Sequence, residues 1–130
     1  MRTVIRNDIS VWTAENDLSA KLYYAVEFGA TAGTVDVCDG ATDLPLGVLL
    51  DPGQAAGDAV RVSGAGDIAI GIAGGAIAAG AVVGTTAAGK LVAKTTDEDY
   101  ILGVLIDAAA ADGDQVRFLQ SAVGTQVASV

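Results

Sequence analysis

Short stretches that are either apolar or alternate between apolar and polar residues recur along the whole chain. They are too short for helices and are bounded by Gly, Pro, Asp or Thr, which is typical of β-strands separated by turns. Such close and regular spacing predicts a mainly β fold, a small β-barrel or sandwich. The pattern predicts strands within residues 21–28, 34–37, 44–50, 59–63, 67–72, 81–83, 90–94, 100–106 and 115–119.

The chain resembles itself at an offset of 56 residues. Residues 46–51 (Leu-Gly-Val-Leu-Leu-Asp) match 102–107 (Leu-Gly-Val-Leu-Ile-Asp), and residues 57–61 match 113–117. Ten of the seventeen pairs that begin at position 46 are identical. An agreement of this length indicates one supersecondary unit that occurs twice.

We interpret the repeats as residues 21–62 and 77–118, within a single β domain of residues 20–130. Gly47 and Gly103 occupy the same place in the two repeats, inside otherwise apolar strands. Glycine there is typical of a bend or bulge where a small barrel turns a corner.

Residues 1–19 lie outside the repeat and are predicted to form an extended N-terminal arm. The arm holds the one Trp of the chain and several β-branched residues, so it is suited to binding a partner's sheet edge. An equally weighted alternative makes it the first strand of the same barrel. The candidate docking residues are Arg2, Val4, Ile5, Arg6, Ile9, Val11 and Trp12.

Composition excludes several classes of function. The chain has 16 acidic and 7 basic residues and a net charge of −9, so we expect no nucleic-acid binding. It has no His and one Cys, Cys38, which excludes His-based catalysis, internal disulfides and Cys-rich metal sites. We expect no enzyme activity. No secretory signal is evident, and synthesis in the cytosol is expected.

Three motifs resemble functional sites without completing them. Residues 84–90 fit the glycine and lysine spacing of a phosphate-binding loop, but Leu91 follows where a hydroxyl is needed. The uncharged run 68–89 is interrupted by glycines, which favours strands over a membrane helix. Acidic residues in turns leave a loop calcium site open, although none has calcium-loop spacing. We therefore predict no catalytic, cofactor or metal residues. The acidic clusters are Asp36/Asp39/Asp43, Asp97/Glu98/Asp99 and Asp112/Asp114.

The phrase Gly-Lys-Leu-Val at residues 89–92, followed by Leu-Gly-Val-Leu at 102–105 and Gly-Asp-Gln-Val-Arg at 113–117, resembles capsid decoration (cement) proteins of tailed bacteriophages. The resemblance covers roughly residues 20–120. It implies a small β-barrel that binds the outer surface of an expanded phage head as a homotrimer. It also implies that such a protein bridges major capsid subunits, resists internal DNA pressure and docks through its N-terminal segment.

The expected partners are therefore the major capsid protein and further copies of this chain, with no nucleic acid and no membrane. The expected location is the outer capsid surface of the virion, after synthesis in the host cytoplasm. Two alternatives remain at this point. One is an extracellular fibre or surface-layer β module, and the other is a small ligand-binding protein, whose pocket so few large side chains would line poorly.

Overall fold

Strands joined by turns and loops make up the part of the chain that the computed structural model describes, residues 9–40, 43–52, 54–94 and 100–125. The predicted mainly β fold is confirmed, and each of the nine predicted stretches overlaps a strand. The strands are β1 (Ile9–Ala14), β2 (Ala25–Phe28), β3 (Thr34–Val37), β4 (Gly47–Val48), β5 (Ala59–Ser63), β6 (Ile68–Ile72), β7 (Val82–Thr85), β8 (Leu91–Ala93), β9 (Tyr100–Leu105) and β10 (Gln115–Thr125).

Alternating side chains explain why the strands have one core-facing side. In β10, Val116 and Phe118 are buried while Arg117 between them is exposed. In β5, Val60 and Val62 are buried in the same way. Successive residues of a strand point to opposite faces, so this sequence pattern places one face on the core and one in water.

The first five strands form one sheet in the order β4-β2-β3-β1-β5. β1 runs parallel to β3 and antiparallel to β5, and the remaining neighbours are antiparallel. An antiparallel bridge between Leu49 and Val62 joins the two edges of this sheet. The sheet thus curls into a nearly closed barrel.

The last five strands form a second sheet in the order β6-β10-β9-β7-β8, with antiparallel neighbours throughout. A parallel bridge between Ala73 and Leu91 joins its edge strands. The Gly-rich run 68–89 supplies β6, β7 and the loops around them. No helix in the described ranges has the length and hydropathy to cross a membrane.

Strand pairings correspond between the two halves. β2 pairs with β3 and β4 as β7 pairs with β8 and β9, and β1 pairs with β5 as β6 pairs with β10. Gly47 lies against the carbonyl oxygen of Ser63, and Gly103 lies against that of Leu119. A Cβ at either glycine would collide with this backbone oxygen. The close approach of two strands therefore requires glycine, and neither glycine has a positive φ.

The core consists of two clusters of buried side chains. One comprises residues of β1–β5 and their loops, including Leu18, Leu49 and Val60. The other is built mostly from β6–β10 around Phe118. Ala25, Cys38 and Val48 of the first half belong to this second cluster. The outer side of the first sheet is thus packed against the second half of the chain.

The predicted arm is divided by the structure. Residues 1–8 lie outside the described residues, whereas Ile9–Ala14 form β1 between β3 and β5. This segment therefore matches the alternative of a strand belonging to the same barrel. Its counterpart is β6, since Ile9 pairs with Ser63 as Ile68 pairs with Leu119. That offset is 59 residues, so a search at 56 treats the two strands as unrelated.

Candidate interaction surfaces

The predicted docking residues fall into a part that the structure describes and a part that it does not. The main chain of Ile9 is described, and Val11 and Trp12 follow in β1. Neighbouring residues of a strand face opposite sides, so Val11 and Trp12 cannot serve one flat interface together. Outside the described residues lie Arg2, Val4, Ile5 and Arg6.

Val11 is the most exposed large apolar residue of those described, with 68% of its surface accessible. It lies opposite Arg61 on β5. The Nη2 of Arg61 contacts Oδ1 of Asp51 at 2.7 Å. An apolar side chain on β1 thus stands beside a fixed ion pair on the outer face of the first sheet.

Trp12 lies on the other side of β1 and belongs largely to the fold. It is half-buried against the first core cluster. Its ring meets that of Phe28 edge to face, with 5.6 Å between centroids and an angle of 73°. Phe28 is 57% exposed. The pair is therefore a partly exposed aromatic corner anchored on the core.

A matched ion pair occurs in each half. Asp51 accepts hydrogen bonds from the main-chain N–H and the guanidinium of Arg61, and Asp107 does so from Arg117. The side-chain hydrogen bond from the arginine is the main reason why the pKa of each aspartate lies below its ordinary value. Each pair ties β5 or β10 to the aspartate that precedes the connecting loop.

An apolar surface covers the outer side of the second sheet, and we call it the second-sheet face. Leu119 lies between Ile68 of β6 and Val104 of β9, and Val104 in turn pairs with Val82. Side chains directly opposite on neighbouring strands share a face and are in contact range. The face comprises Ile68, Ile70, Val82, Val104, Ile106 and Leu119, with Arg117 among them.

Four members of this face are substantially exposed. Ile68 is 64% accessible, Leu119 46%, Val104 39% and Ile106 37%. Single exposed apolar residues are ordinary, but a continuous apolar patch marks an interaction surface. Sequence reasoning did not find this face, although the alternation in residues 115–119 already placed Leu119 and Arg117 on one side.

Three carboxylates meet where β2 approaches the loop after β3. Glu27, Asp39 and Asp43 each bring an oxygen within 4.8 Å of the others. Burial, followed by a hydrogen bond and repulsion from Asp43, raises the pKa of Glu27 to about 7. Burial also acts to raise the pKa of Asp43, but main-chain hydrogen bonds from Gly40 and Asp39 outweigh it and lower the value. The cluster can share a proton, and its ligand chemistry would suit a hard cation.

The predicted acidic cluster is thus only partly assembled. Asp36 is directed elsewhere and accepts a hydrogen bond of 2.8 Å from Nδ2 of Asn16. Glu27 was missed because it lies within a strand, between Val26 and Phe28, rather than in an acidic turn.

The loop that resembles a phosphate-binding motif is a turn between β7 and β8. Gly89 has a positive φ of 77°, and its carbonyl oxygen accepts a hydrogen bond from the N–H of Ala25. Nζ of Lys90 contacts Oδ1 of Asp112 at 2.9 Å. The loop leads into β8, not into a helix N-terminus that would hold phosphate. It instead connects the two halves.

Comparison with known proteins places this architecture among phage head proteins. A family model described as phage cement protein matches residues 13–120. The fold is similar to that of a solved structure described as the head fibre gp8.5 N base in bacteriophage phi29, with a TM-score of 0.67 and 18% identity. That match covers 87% of this chain and 94% of the other. No curated protein is similar enough in sequence to match.

Proposed function

Because the chain belongs to the phage cement protein family, we propose that it decorates the outer surface of a phage head as a homotrimer. In this role it bridges major capsid subunits and stabilises the expanded shell against internal DNA pressure. The role is structural and requires no catalytic step. The chain would be made in the host cytoplasm and then attach to the head.

The observation that carries this proposal is the family match over residues 13–120, which spans β2–β9 entirely, the last two residues of β1 and the first six of β10. The surface chemistry is compatible with it. A net charge of −9 disfavours contact with packaged DNA and suits a protein that stays outside the shell. Apolar residues on outer sheet faces offer area for protein contacts.

We propose that docking to the major capsid protein uses the N-terminal segment. Residues 1–8 lead into β1, which two neighbouring strands hold in place, so the segment starts from a fixed position. Arg2, Arg6 and Asp8 give it a charge of +1 on an acidic chain. Val11, which follows this segment in β1, adds an exposed apolar side chain. The contact residues would be Arg2, Val4, Ile5, Arg6, Ile9 and Val11. Trp12, on the other side of β1, would contribute indirectly by anchoring this strand on the core.

Co-sedimentation with undecorated heads of the encoding phage tests this function. We expect the full chain to pellet with the heads and to reduce DNA release when the heads are heated. A chain lacking residues 1–8 should remain folded, because β1 is kept, yet stay in the supernatant. A full chain that never pellets with heads contradicts the proposal. A truncated chain that pellets as well as the full chain removes docking from the N-terminal segment only.

A fibre role on the head is the second candidate. The fold match to a structure described as the N base of a head fibre favours it. Images of decorated heads distinguish the two roles. A fibre role predicts a projection above the shell, whereas a cement role predicts low density that links neighbouring capsomers.

A further inference from the structure

The outer faces of the two halves can be compared position by position. Val82 pairs with Val104 as Ala25 pairs with Val48. The N–H of Ile106 donates to the carbonyl oxygen of Arg117 as that of Leu50 does to Arg61. Leu119 corresponds to Ser63 through the same strand pairing. The second-sheet face therefore has a counterpart on the first sheet, strand for strand.

The part of that counterpart on β2, β4 and the end of β5 is covered, whereas Val11 and Arg61 on the same outer face stay exposed. Ala25, Val48 and Ser63 are at most 3% exposed. The first two pack into the core cluster of the second half.

Hydrogen bonds also join this covered part of the first half to the second half. The Oγ of Ser63 donates a hydrogen bond to Oε1 of Gln120, and Nε2 of Gln120 donates one of 2.9 Å to the carbonyl oxygen of Leu46. The outer side of the first sheet thus forms a binding surface for the second half of the chain.

The second half has the corresponding surface, the second-sheet face, and none of the described residues covers it. Two of its matched residues are larger and more apolar, with Val82 in place of Ala25 and Leu119 in place of Ser63, while Val104 matches Val48. A position that is merely solvated would gain nothing from Leu and Val in place of Ser and Ala. Burial of these side chains is the favourable term that such a replacement supplies.

We infer that the second-sheet face binds a second copy of this chain and forms the contact between protomers of the proposed homotrimer. The occupant is a β unit of the same family, because the covered face of the first half already binds one. This inference rests on the proposed trimer and identifies its interface. It assigns the capsid contact to a different surface.

The geometry of such a contact suits a ring. Within one chain, the outer face of the first half packs against a different surface of the second half, so this contact is heterologous. Heterologous contacts that close generate cyclic assemblies. The charge pattern is also compatible. Arg117 is neutralised by Asp107, so the face carries no net charge of its own on a chain of −9.

Light scattering coupled to size-exclusion chromatography tests this inference at micromolar concentration. The wild type should have about three times the 12.9 kDa of one chain. Ile68→Asp and Leu119→Ser should reduce the mass about three-fold, to that of a monomer. Leu119→Ser introduces the side chain present at the matched position of the first half, so folding should be retained. Circular dichroism melts check this point.

Val11→Asp is the matched control, because Val11 occupies the position on β1 that Ile70 occupies on β6. It should leave the trimer mass unchanged. A monomeric wild type, or folded face variants that remain trimeric, would overturn the inference. Trimeric face variants that no longer bind heads would assign the face to the capsid instead. Monomeric variants that still bind heads would leave the decoration role standing and support the interface.

Discussion

The guanidinium of Arg117 is held by Asp107 through two hydrogen bonds of 2.9 Å, one from Nε and one from Nη2. The first half repeats this relationship between Arg61 and Asp51 at an offset of 56 residues. In both places the aspartate also accepts the main-chain N–H of the arginine. The pair therefore fastens the start of the last strand of each half to the loop before it.

The ion pair predicts the acid titration of its aspartates. Hydrogen bonding from Arg117 lowers the pKa of Asp107, so this carboxyl should titrate below its ordinary value of 3.8 in the folded chain. A lowered pKa contributes stability that is present above the unfolded value and is lost as pH falls through the folded one. Carboxyl-carbon NMR titration of wild type and Arg117→Gln measures this. An unchanged Asp107 titration in the variant would contradict the assigned cause.

Glu27 should make stability depend on pH in the opposite sense. Its pKa is raised to about 7 from 4.5, so the folded chain binds this proton more tightly than the unfolded chain does. Stability from this group is fully present below about pH 4.5 and is lost as pH rises to about 7. Thermal melts should show Glu27→Gln with a smaller decline across that window and higher stability above it.

Asp107→Asn is the control for Glu27, because the pKa of Asp107 is lowered and it does not titrate in that window. The control should keep the wild-type slope. Equal slopes in wild type and Glu27→Gln would show that Glu27 carries no raised pKa.

Gly47 and Gly103 should tolerate no side chain. A Cβ at either position meets a main-chain carbonyl oxygen of the neighbouring strand, which cannot move as a side chain can. Forcing atoms into such packed places costs about 1–3 kcal/mol. Denaturant unfolding of Gly47→Ala and Gly103→Ala should show this loss. Gly75→Ala, with open space at its Cβ, should melt like the wild type, and equal melting of all three variants would contradict the close approach.

Val11 and Trp12 should separate binding from folding. Trp12 packs on the core and on Phe28, so Trp12→Ala should reduce the free energy of unfolding by up to about 3 kcal/mol. Val11→Asp changes an exposed side chain and should melt like the wild type while reducing head binding. Melting curves and co-sedimentation measure the two effects. A Val11→Asp chain that binds heads normally would remove Val11 from the docking surface.

Local patterns predicted most of the fold. Apolar runs and alternation located nine strands. Gly57 and Gly113, which match each other in the repeat, have positive φ values of 88° and 93° in the turns before β5 and β10. These features depend on neighbouring residues and can be read from sequence. β1 was harder, because its parallel pairing with β3 is not local and its counterpart β6 shares little sequence at a different offset.

Which surfaces are exposed could not be predicted, because exposure depends on how distant parts of the chain pack together. Leu119 and Ser63 occupy matched positions, yet one is 46% exposed and the other 3%. Which of two similar faces is covered follows from how the halves pack, and strand patterns are the same in both cases. Glu27 likewise joins Asp39 and Asp43 only through the pairing of β2 with β3.

Cryo-electron microscopy of undecorated heads incubated with the full chain tests the proposed decoration role most directly. We predict added density on the outer surface, in groups of three lobes that each fit one 12.9 kDa chain and touch neighbouring capsid subunits. The lobes should contact one another through β6, β9 and β10. Heads that remain bare at saturating protein, or density confined to the interior, would contradict the account.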